Sequence, residues 1–155
     1  MPNYFFLYSF EQILGLSFLV AKTKYRNTES LRAAENVQEV SLQNMFKANA
    51  DQRYAFGKEI KDCIKNFGGT PDKGQSIEGQ IHQVWMDIRA AFASKDDIAI
   101  LKEINRGEEY ALEAYDKALE NLTIGTLAYD RIVAQRNQVR TIHSRTQTLE
   151  GVHSA

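Results

Sequence analysis

The chain has 155 residues, 43% hydrophobic and 25% charged, with two prolines, Pro2 and Pro71. That is one domain's worth of core and excludes a disordered or fibrous polymer. A formal net charge of -1 offers no basic surface to displace counterions, so no nucleic-acid partner is expected, and the single cysteine, Cys63, excludes an internal disulfide and a cysteine-based metal site and suits a reducing cytoplasm.

Tyr4 to Ala21 is apolar apart from Ser9, Glu11, Gln12 and Ser17, and Lys22, Lys24 and Arg26 follow. Glu11 would cost about 2.5–3.5 kcal/mol inside a bilayer, which leaves membrane insertion marginal. No positive charge precedes the stretch as a signal peptide requires, so neither a membrane anchor nor export is expected. Residues 1–22 read as an apolar N-terminal extension or as the start of a first helix, which extends over 6–36. The bundle occupies 23–149 and a tail 150–155.

From Glu39 the apolar positions Leu42, Met45, Phe46, Ala50, Phe56, Ile60, Ile64 and Phe67 recur at three-and-four spacing, interrupted at Arg53. One helix face produces that pattern and a strand cannot. Gly68 and Gly69 supply a left-handed cap, and Thr70-Pro71 prevents continuation. Ser76 opens a shorter amphipathic helix to Ser94, with Ile81, Val84, Trp85, Ile88, Ala91 and Phe92 on its buried side. Ser94 or Asp96 starts the third long helix, striped by Ile98, Leu101, Ile104, Glu108, Ala111, Tyr115 and Ala118. Asn121 to Gly125 breaks it before a last helix with Ala128, Ile132, Gln135, Val139, Ile142 and Leu149. The fold class is all-α: a ferritin-like four-helix bundle with a short extra helix in the crossover between the second and third long helices.

A carboxylate-bridged di-iron centre in such a bundle takes Glu from two helices and Glu-x-x-His from the other two. Here His82 and His143 follow Gly79 and Arg140 at that spacing, and the one literal match, Glu150 with His153, straddles Gly151 in the expected tail. No metal ligand or catalytic residue is assigned. Arg53, Glu108 and Gln135 nevertheless fall on apolar stripes. One reading joins Glu108, Gln135 and the Tyr115 hydroxyl in a small-ligand pocket or an altered metal site. The favoured reading has Arg53 satisfying Glu108 across the bundle and fixing helix register.

Glu109, Glu113, Asp116 and Glu120 line one face of the third helix, facing Arg131, Arg136, Arg140 and Arg145 on the fourth. Exposed pairs of this kind contribute under about 1 kcal/mol each. Lys58, Lys61 and Lys65 read as a solvated face, Cys63 as a small hydrophobe, and His82 beside Trp85 as a packed residue.

Several stretches carry a resemblance: Ala33-Ala34-Glu35-Asn36-Val37, Gln52-Arg53 with Phe56, Phe67-Gly68-Gly69-Thr70-Pro71, His82 to Trp85-Met86-Asp87, and Arg106-Gly107-Glu108-Glu109 followed by Tyr115, Ala118 and Leu119. Over roughly residues 28 to 148 the chain resembles a bacterial four-helix-bundle family, a domain of unknown function grouped with ferritin-like proteins. Its members usually place an aromatic before the Ala-Ala of the first helix, where this chain has Ser30. The resemblance implies a ferritin-like fold in a bacterial cytoplasm and carries over no catalytic residue. The leading expectation is a non-enzymatic homo-oligomer, without cofactor, with a structural, storage-like or stress-related role. The alternative is an iron- or manganese-binding protein or oxidase with a degenerate site around Glu108 and Gln135.

Overall fold

A computed structural model describes residues 4–71, 86 and 89–154. They form four long helices: α1 (Tyr4–Asn36), α2 (Val40–Asn66), α3 (Asp97–Glu120) and α4 (Leu127–Ser154). There is no strand among the described residues. No helix is long and apolar enough to cross a membrane among the residues searched.

The helix ends follow from local chemistry. Gly68 adopts φ +85°, and the Gly69 amide donates to the Ile64 carbonyl at 2.9 Å, closing α2. Asp96, not Ser94, caps α3, its carboxylate accepting from the Ile98 amide at 3.0 Å. Thr126 opens α4 by accepting from the Tyr129 amide at 3.2 Å. Glu39 precedes α2 without capping it through its side chain. The Asp97 carboxylate reaches over from α3 instead, accepting from the amides of Gln38 at 2.7 Å and Glu39 at 3.2 Å.

That bond sets the topology. The α1–α2 turn, the start of α3 and, through a His153–Glu39 contact of 2.5 Å, the end of α4 meet at one end of the bundle. The helices therefore run up, down, down, up, so that α2 ends and α3 begins at opposite ends of the bundle. Between α2 and α3, residues 89–93 are helical, with Phe92 buried, and Ser94 lies in a turn; the rest of the helix expected over 76–94, including His82 and Trp85, lies outside the described residues apart from Met86.

One sequence-based boundary needs correction, and at the other end of the chain one of the two readings offered for 1–22 holds. Residues 150–154 are not a tail but the last turn of α4. Gly151 is tolerated there because His153 ties the turn to Glu39 and also to the Leu149 carbonyl at 2.8 Å. At the other end α1 is continuous from Tyr4, and Leu16, Leu19 and Val20 are core residues, so the 1–22 stretch from Tyr4 onward belongs to the first helix. On α4 the stripe also departs slightly: His143 is buried while Ile142 is half-buried.

The hydrogen bond to Glu39 raises the His153 pKa, with the Leu149 carbonyl adding to the shift. Because the folded-state value lies above the unfolded one, the link contributes fully below the ordinary histidine pKa and is lost as pH rises through the raised value. In an NMR titration His153 is expected to titrate above the ordinary histidine range and to return toward it in Glu39→Gln. An unshifted His153 in the native chain would contradict this tie.

A buried charge layer across the bundle

Among the described residues the hydrophobic core divides into two clusters. One cluster, built on Leu16, Leu19, Ile60, Ile64, Ala118 and Ile132, fills the end where α2 stops. A second, built on Ala33, Phe46, Phe92, Ile100, Leu101 and Ile104, fills the end where α3 starts. Between them every one of α1, α2 and α3 places charge: Arg26 and Glu29, Arg53, and Glu108, each at most 1% exposed.

Arg53 forks onto Glu108, with Nη1 donating to Oε1 at 3.0 Å and Nη2 to Oε2 at 2.7 Å. Arg26 Nη2 donates to Glu108 Oε1 and also to the Ile104 carbonyl at 3.2 Å. Arg26 Nη1 pairs with Glu29 Oε1 at 2.5 Å, one turn along α1. Planar guanidinium forks suit a carboxylate whose two oxygens must both be satisfied away from water.

Burial alone would raise the Glu108 pKa. The charges of Arg26 and Arg53, with their hydrogen bonds, outweigh it and hold the carboxyl down at about 2. Glu108 therefore stays ionised, and its contribution to stability is present above the ordinary Glu pKa and lost as pH falls toward about 2. Glu29 has the opposite balance. Burial pushes its pKa up, Arg26 offsets only part of this, and its Oε2 has no hydrogen-bond partner.

Gly107 makes room for the layer. A Cβ there would overlap Arg26 Nη1 and come within 2.8 Å of its Cζ. Glycine inside a helix costs about 0.5–1 kcal/mol relative to alanine. Here it lets a guanidinium lie against α3 backbone.

The other two expected core polar residues form a separate tie. Tyr115 Oη donates to Gln135 Oε1 at 2.8 Å, and Gln135 Nε2 donates to the Phe56 carbonyl at 3.3 Å, joining α3, α4 and α2. Both residues are 1% exposed, and burial pushes the Tyr115 pKa up, so the phenol keeps its proton. The structure thus joins Arg53 to Glu108 and Tyr115 to Gln135 as two separate hydrogen-bonded sets. Arg26 and Glu29 are the members that the sequence reading missed. They follow Leu19 and Thr23 and precede Ala33 on the buried face of α1, a spacing that could have found them.

Elsewhere the charged hairpin faces meet through Arg136 and Asp116 at 3.1 Å, while Glu109 pairs with His143 at 3.6 Å. Cys63 is buried, which raises its thiol pKa despite a hydrogen bond with Arg131. Among the described residues no group of three or more His, Cys, Asp or Glu side chains is placed to hold a metal ion.

These features define an all-helical bundle whose core is cut by an internally paired charge layer. The chain belongs to the family described as Domain of unknown function (DUF2383), which matches residues 23–121. The matched segment contains the whole Arg26–Glu29–Arg53–Glu108 layer and Gly107, and ends before α4. No curated protein and no solved structure matches the chain.

Proposed function

We propose that this is a non-enzymatic bacterial cytoplasmic protein of ferritin-like organisation, a homo-oligomer with a structural, storage-like or stress-related role. The observation that carries the reading is the occupancy of Glu108. Both its oxygens are taken by guanidinium groups at mid-bundle, where a ferritin-like protein would direct carboxylates at metal. A cation site filled by two arginines does not fit a di-metal centre, since their fixed positive charge opposes an incoming metal ion. Gln135, the other residue of the metal alternative, has its amide engaged by Tyr115 and Phe56. The up-down-down-up order with one long crossover supports the ferritin-like organisation. Phe10 and Leu14, exposed on α1, with Leu14 beside an open α1–α3 groove of about 480 Å³, support self-association.

Elemental analysis of untagged protein, expressed aerobically with iron and manganese supplied, tests the reading. Substoichiometric metal is expected in both the native chain and Glu108→Ala. Stoichiometric iron or manganese in the native chain that disappears in Glu108→Ala would overturn it and establish the metal-binding alternative.

A further inference from the structure

Leu14 and Phe18 on α1 and Lys117 in the last turns of α3 line a groove of about 480 Å³. The two helices touch there through small residues: a Cβ added to Gly15 would meet Ala118 Cα at 3.6 Å, and neither residue extends into the space between the longer side chains. Phe10 stands one turn before Leu14 on the same face of α1 and is 55% exposed. Glu11 beside it and Lys117 across the groove are exposed too, and neither forms an ion pair among the described residues.

We infer that this end of the α1–α3 face is the interface with a second copy of the chain, in which Phe10 of each copy enters the other's groove. An aromatic knob and an open groove one turn apart on a single helix face are complementary to themselves. A two-fold axis crossing α1 between them brings each knob onto the other groove and makes both contacts at once. Glu11 follows Phe10 in the chain and travels with it to the second groove, where it meets the partner's Lys117. That pairing of opposite charges occurs twice in the dimer, which favours a second copy over an unrelated apolar partner. The inference rests on the self-association in the proposed role and supplies its surface.

Sedimentation velocity of the full chain over a range of concentrations tests it, with circular dichroism to verify the helix content of each variant. The native chain should dimerise reversibly. Phe10→Ala, Glu11→Lys and Lys117→Glu should each weaken the dimer about tenfold or more, because an aromatic anchor is lost or like charges meet twice. An equimolar mixture of Glu11→Lys and Lys117→Glu should dimerise again, since each copy then offers the other the opposite charge, whereas a pair within one chain would not be restored by mixing. Tyr54→Ala, which removes an exposed aromatic of α2, should leave the dimer unchanged. An oligomer that any of the three variants leaves intact, an equal loss in Tyr54→Ala, or a mixture that stays monomeric would overturn this interface and leave self-association standing. A monomeric native chain would overturn both.

Discussion

Replacing Glu108 with alanine is expected to destabilise the bundle by about 3–5 kcal/mol in urea unfolding at neutral pH, among the largest losses available from one side chain. Among the described residues, its carboxylate is the group that pairs with both Arg53 and Arg26. Without it two guanidiniums remain at 1% exposure, and Glu29, which pairs with Arg26, is a carboxyl that burial already disfavours as an anion. Removing one partner of a buried pair costs far more than the pair itself is worth, because the stranded charge keeps its desolvation penalty. A loss under about 1 kcal/mol, the range of an exposed pair, would mean that water reaches the layer.

Gly107→Ala, normally a stabilising change within a helix, is expected to cost at least the 1–3 kcal/mol or so of an overpacked core. The added methyl occupies the position of Arg26 Nη1. A flexible side chain could ordinarily swing aside, but Arg26 is held by Glu29, Glu108 and the Ile104 carbonyl and has no exposed space to enter. Displacing it unpairs the layer. In an Arg26→Met background the same glycine substitution should lose most of its cost, because the terminal nitrogens that clash are gone. Equal costs in both backgrounds, by thermal or urea unfolding, would show that Arg26 is not the group the glycine accommodates.

The bundle was largely legible because its signals are local. Three-and-four spacing on α2, the Gly68-Gly69 stop and the Asn121–Gly125 break each act within a turn or two of chain, and the structure places helix ends at them. Arg53 and Glu108 were legible for a related reason: each interrupts an otherwise apolar stripe. Arg26 was harder to recognise, since it follows an apolar stretch and looks like a flanking cation when only the chain order is read. Its burial depends on Gly107, some eighty positions away, and a mid-helix glycine beside a buried acid signals the space without naming its occupant. The fate of Gln135 and Tyr115 was hidden likewise. Both lie on core stripes, but whether they join Glu108 or each other depends on helix rotation, which spacing does not determine. The 150–155 segment misled because Gly151 resembles a stop, and only the contact between His153 and Glu39 shows why the helix continues.

The charge layer is expected to act as one coupled unit across three helices. A double-mutant cycle between Arg53→Met and Glu108→Gln, followed by urea unfolding, measures that directly. Glu108→Gln alone leaves two guanidiniums against a single carboxyl, whereas the double variant keeps Arg26 with Glu29, one group of each sign. The double variant should therefore lose less than the sum of the singles, by about 0.5–3 kcal/mol. Additive losses, agreeing to within about 0.5 kcal/mol, would contradict the layer as the element that joins α1, α2 and α3.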